Sequence, residues 1–119
     1  TPVLTHGDAS PDQVLYEYST GRIWLTDFDR VRLAPAAMDL GSYLAEAPSC
    51  HRHALLEGYA AHRPVPGDEE LGWAIALSRL ARLADPLRRA HPSWRERISA
   101  DLTAIERIAR SPEKEAGWA

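Results

Sequence analysis

Two runs of β-branched and aromatic residues, Val14 to Tyr18 (VLYEY) and Arg22 to Phe28 (RIWLTDF), are joined by Ser19-Thr20-Gly21 alone. A bridge that short leaves an antiparallel hairpin as the economical arrangement. The hairpin in turn dictates where its flanks go. The loop entering the first strand and the loop leaving the second must lie side by side. The entering loop is HGDASPDQ, residues 6–13, dense in the Gly, Pro, Asp and Ser that build turns. The leaving segment carries Asp27 and Asp29. Acids distant along the chain are thus expected at one place.

The remainder reads as helical. Residues 3–5 (VLT) suit a short strand stub, and Ala36 to Glu46 carries Met38, Leu40, Tyr43 and Leu44 before Pro48 ends it. Cys50 to His62 repeats the pattern with Leu55, Leu56 and Tyr59 before Pro64. Asp68 suits the N-cap of a third helix, in which Trp73, Leu77, Leu80, Ala84 and Leu87 form one apolar face and which Pro86 should kink or end. Ser93 and Glu96 have capping-box spacing at the head of a last helix, with Trp94, Ile98, Leu102, Ile105 and Ile108 as its expected buried stripe. Residues 111–119 read as a frayed tail. The expected class is α+β, mainly α: a small hairpin followed by about four helices.

Charge and composition narrow the function. The chain has 119 residues, enough for one domain with a real core. Through Pro48 seven acids face three arginines, whereas from Ser49 onward ten acids face eleven bases. The acidic part is the part with the paired loops, which argues against nucleic acid as partner and suits divalent metals or cationic ligands. The single cysteine, Cys50, permits no internal disulfide and suits a reducing cytoplasm. No apolar run reaches the roughly 18 to 20 residues of a membrane span. The chain starts without Met at TPVLTHGD, which reads as a piece of something longer.

Phosphoryl transfer from a nucleotide needs few protein parts. One carboxylate orients or deprotonates the acceptor hydroxyl, and two more oxygen ligands hold Mg²⁺ against the phosphates. Asp8 suits the first role. Gln13 and Asp27, brought to one side by the hairpin, suit the second.

HGDASPDQVL, then LTDFD, then APAAMDLGSYLA, resembles the catalytic core of the aminoglycoside phosphotransferase and choline kinase-like family, small-molecule kinases with the protein kinase fold. The family's catalytic loop reads H-G-D-x-x-x-x-N and its metal strand ends in I-D-F/W-D/E/G. The resemblance implies a kinase-like C-terminal lobe over 1–110, with catalytic loop and metal hairpin in 1–31 and a helical subdomain in 36–110. It implies Asp8 as catalytic base, Asp27 as metal aspartate, His6 as a loop-bracing residue and Asp39 as the helix-borne carboxylate supporting the loop. The co-substrate would be ATP or GTP with Mg²⁺, and the acceptor a hydroxyl-bearing small molecule. Gln13 stands where the family has Asn: the carbonyl ligand is kept, with one extra methylene. The family's N-terminal lobe, with its phosphate-binding lysine, has no counterpart here, and Lys114 is the only lysine. The isolated chain is therefore expected to be inactive.

Plainer readings compete. Asp8 alone would be an Asx turn after Gly7, and Asp12 a solvated turn residue. Asp29 reads either as a further acid beside the metal or as a partner of local backbone amides. An acid at Asp39 would suit a helix first turn through the macrodipole alone. Cys50, His51 and His53 lack a fourth metal partner. Arg79, Arg82, Arg88 and Arg89 read as a solvated helix face. The rival function is a kinase-fold binding or scaffold module without catalysis, which Gln13 favours and the Asp8 and Asp27 pair disfavours.

Overall fold

The computed structural model describes residues 1–115. The hairpin forms as β2 (Val14–Glu17) against β3 (Arg22–Leu25), antiparallel, with Val14 opposite Leu25 and Glu17 opposite Arg22. The stub β1 (Val3–Thr5) pairs with a strand the pattern did not announce, β4 (Arg32–Ala34), with Thr5 opposite Arg32. The Thr5 hydroxyl donates to the Arg32 carbonyl at 2.8 Å. The two ladders are nested. β1 and β4 close the outside, β2 and β3 the inside, and loops 6–13 and 26–31 are trapped between them.

Helices then supply the core: α1 (Ala37–Glu46), α2 (Arg52–Ala60), α3 (Asp68–Ala81), the single turn α4 (Asp85–Arg88), α5 (Trp94–Arg110) and the short α6 (Pro112–Glu115). The result is an α+β domain, mainly helical. Leu40 and Leu44 of α1 pack with Leu71, Ala74 and Ile75 of α3, Leu56 of α2 and Ile108 of α5. Full burial of each Leu or Ile contributes about 1.5–3 kcal/mol. The α1–α3 contact is close because Gly41 faces Ala74; a Cβ on Gly41 would sit 2.5 Å from the Ala74 Cβ. That approach seats the site-bearing face of α1 against the end of α3.

Several expectations are corrected. The apolar stripe of α3 does not face the core: Trp73, Leu77 and Leu80 are exposed, as is Leu87 beyond it. The buried face is Leu71, Gly72, Ala74, Ile75, Ala76 and Ser78, and its small residue Ala74 lets α1 come near. In α5 only Ile108 is fully buried, and Leu102 is exposed. Gly67, not Asp68, occupies the N-cap of α3, and Asp68, Glu69 and Glu70 fill the first turn, where the helix dipole favours acids. Ser93 sits at the cap of α5 without a side-chain capping bond.

The expected tail also differs. Pro112 is buried, and Glu115 forms ion pairs with Arg52, Arg79 and Arg107, so the chain through Glu115 packs onto α3. Residues 116–119 of that expected tail lie outside the described residues. Among the described residues no helix is long and apolar enough to cross a membrane.

Candidate active site

The site is assembled on the paired loops, and α1 holds them in place. Asp39, in the first turn of α1, accepts the backbone N–H of His6 at 2.7 Å and that of Gly7 at 3.1 Å. Three residues on, and so on the same helical face, the buried Ser42 donates its hydroxyl to the Ala9 carbonyl at 2.6 Å. Two α1 side chains thus satisfy backbone groups on both sides of Asp8. Hydrogen bonds to an ionised acceptor are the stronger kind, and Asp39 makes two of them.

Gly7 is required by geometry. Its φ is +88°, and a Cβ there would collide with the carbonyl oxygen of Arg30. The entering loop therefore touches the leaving loop through bare backbone. His6 makes a second link. Its Nδ1 accepts the Asp8 N–H at 3.3 Å, which leaves Nε2–H to donate to the Thr26 carbonyl at 2.7 Å. Its ring also packs against Phe28, with centroids 5.2 Å apart.

On the hairpin side, the Thr26 N–H donates to the Gln13 carbonyl at 3.0 Å. The Gln13 side chain spans the gap: its Nε2 donates to Asp27 Oδ2 at 3.3 Å, and its Oε1 accepts the Thr26 hydroxyl at 3.2 Å. Gln13 and Asp27 are thereby side by side. A half-turn of the amide would exchange its oxygen and nitrogen, present Oε1 toward Asp27, and leave Nε2 a donor to the Thr26 hydroxyl.

Asp27 itself adopts a left-handed backbone, φ 63°, a conformation that an L residue occupies at a cost and that clusters at functional positions. Its carboxyl is raised above the ordinary 3.8, first by a side-chain hydrogen bond with Asp29, then by the charges of Asp29 and Asp8, with His6 opposing. Asp29 is thus the neighbour that acts most on the Asp27 carboxyl. Asp27 and Asp29, with the Gln13 amide once turned to present its oxygen, are the residues here that could hold a hard cation such as Mg²⁺. Among the described residues no group of three or more His, Cys, Asp or Glu side chains is gathered as a metal site.

One residue of the site was misread from sequence. Arg82, just past α3, is not on a solvated face. Its Nη2 lies 3.0 Å from Asp8 Oδ1 and 2.8 Å from the Ser42 hydroxyl, and its Nη1 donates to the Ser42 carbonyl at 3.2 Å. Glu46 adds a longer ion pair at 3.8 Å. The signal was present: Leu71, Ile75, Ser78 and Arg82 recur at steps of four, three and four, and the stripe turns polar where it reaches the loop. Arg79, read the same way, is also partly buried, against Glu115.

A cavity of about 940 Å³ opens in front of Asp8 and Arg82, bounded by loop 6–13, α1, the end of α3, α4 and the start of α5. No family model, curated protein or solved structure matches the chain.

Proposed function

We propose that this chain is the kinase-like C-terminal lobe of a phosphotransferase that moves the γ-phosphoryl group of ATP or GTP to a hydroxyl of a small molecule. One observation carries the reading. Asp8 and the Gln13–Asp27 pair belong to loops trapped between the same two ladders, and the Asp8 charge reaches Asp27. Base and metal donors then serve one reacting group.

In this reading Arg82 occupies Oδ1 of Asp8, and Oδ2 is left to accept the acceptor's O–H proton. The acceptor oxygen forms its bond to γ-phosphorus as the bond to the β-bridging oxygen breaks, and the proton passes to Asp8. Mg²⁺, when bound, neutralises the charge of the transferring phosphoryl group. Asp27 and Gln13, with Asp29 beside them, would hold it. Asp39, Ser42 and His6 keep Asp8 in place throughout, a matter of positioning that contributes to rate. The nucleotide-covering lobe would come from another segment of the same protein.

A second reading, a catalytically dead binding or scaffold module, is favoured by the Gln13 amide, whose oxygen is turned to the Thr26 hydroxyl. Titrating the full-length protein with Mg-ATP separates the two. Metal-dependent nucleotide binding supports the kinase, and its absence supports the scaffold.

A further inference from the structure

The acidity of the first part of the sequence suggested a cationic ligand, but those of its acids that line the cavity each have a protein partner. Seven arginines and six carboxylates line the cavity in front of Asp8. Asp8 pairs with Arg82, Asp39 accepts loop amides, Asp12 accepts the Ser10 hydroxyl, Asp85 pairs with Arg88 at 3.5 Å, and Glu46 approaches Arg82. Asp101 is the carboxylate left over. By contrast, the guanidinium groups of Arg30, Arg32, Arg89 and Arg97 have no ion-pair or hydrogen-bond partner among the described residues. The cavity therefore offers an excess of unspent positive charge, in a chain whose net charge is −3.

Resting on the phosphotransferase reading, we infer that the acceptor carries an anionic group, a carboxylate or a phosphate, seated on Arg89 and Arg97 while its hydroxyl reaches Asp8. Both residues lie on the helical wall: Arg89 follows α4, and Arg97 is in the first turns of α5. Asp27, which follows β3, does not line this cavity, and Gln13 lines it from the entering loop, so the anion seat and the nucleotide's metal are held by different elements. Guanidinium groups suit either anion through paired N–H donors.

The test is binding, not turnover, on the 119-residue chain, with four small alcohols of similar size: glycerol, ethanolamine, glycerate and glycerol 3-phosphate. Backbone and arginine side-chain resonances would report each titration. Glycerate or glycerol 3-phosphate is expected to bind at least about tenfold more tightly than glycerol or ethanolamine, with shifts at Asp8, Arg89 and Arg97. The stronger of the two distinguishes a carboxylate from a phosphate seat. Arg89→Glu/Arg97→Glu is expected to abolish the preference without changing the melting temperature, since neither guanidinium has an ion-pair partner among the described residues. Preference for ethanolamine, no preference, or anion binding untouched by the double variant overturns the inference. So does displacement of the bound anion from the full-length protein by saturating Mg-AMP-PNP, which would assign the seat to nucleotide phosphates. Absence of any phosphoryl transfer by the full-length protein, with anion binding intact, would instead count against the phosphotransferase reading alone.

Discussion

Arg82 lies 3.0 Å from Asp8 and comes from a position 74 residues later in the chain. The pair ties the end of α3 to the loop between the two ladders, and it leaves one oxygen of Asp8 unoccupied by Arg82. Both side chains are partly buried, at 19% and 29% exposure, so the pair is screened less than a surface ion pair but is not desolvated.

Removing the guanidinium should therefore cost stability moderately and turnover more. Arg82→Met is expected to lose about 1–3 kcal/mol, the range for hydrogen bonds to charged groups, discounted for residual solvent. Arg82→Lys keeps the charge but cannot serve Asp8 and Ser42 together, and should recover only part of the loss. Urea denaturation measures both. On the proposed phosphotransferase reading, Arg82 would position Asp8 without holding the acceptor's hydroxyl, so turnover of the full-length protein should fall more than acceptor KM rises.

Asp39 makes its prediction through the loop backbone. Asp39→Ala strands the N–H groups of His6 and Gly7, at an expected cost of about 2–4 kcal/mol for two charge-assisted bonds. Asp39→Asn retains one acceptor oxygen and should lose about half. Amide hydrogen exchange gives the specific signature: His6 and Gly7 lose protection, while Leu71 and Ile75 in the core change only as far as global stability does.

Gly7→Ala tests the close approach of the two loops. The left-handed backbone and the collision with the Arg30 carbonyl together predict a loss of roughly 2–5 kcal/mol. Gly58, where a Cβ meets nothing within 4 Å, is the internal comparison. Its change to Ala, within α2, should be stabilising by about 0.5–1 kcal/mol. Equal effects at both positions would mean that the loops do not touch as described.

Asp27 predicts a pH dependence. Its hydrogen bond with Asp29, and then the charges of Asp29 and Asp8, raise it above its ordinary 3.8. The folded chain thus keeps this proton to higher pH than the unfolded chain does. Stability falls as pH climbs from the ordinary value through the raised one, and then levels. Asp27→Asn removes that titration, so its melting temperature should gain on wild type at neutral pH and lose the advantage in strong acid. Millimolar Mg²⁺ should raise the wild-type melting temperature at neutral pH and leave Asp27→Asn unmoved.

Much of the site was legible because a hairpin is a local object. VLYEY, a three-residue bridge and RIWL placed Gln13 beside Asp27 by chain connectivity alone, and HGD before it placed Asp8 nearby. The outer ladder was not legible. Arg32–Ala34 is three residues long, and its strand character comes from Val3–Thr5 across the gap, not from its own pattern. The α3 stripe misled for a related reason. Periodicity identifies a helical face but not its partner, and Gly41 made the small-residue face the closer fit. Arg82 needed that packing to be known, since its partner is 74 residues away.

Whether Asp8 accepts the proton of the acceptor hydroxyl, as proposed, is decided by phosphoryl transfer in the full-length protein. Wild type and Asp8→Asn would be incubated with Mg²⁺, γ-labelled ATP or GTP and a panel of hydroxyl-bearing small molecules, with nucleotide affinity measured alongside. Labelled acceptor is expected from wild type, with a fall of about 10²–10⁴-fold in Asp8→Asn and little change in nucleotide binding. Transfer at an equal rate in Asp8→Asn would contradict the proposed role of Asp8.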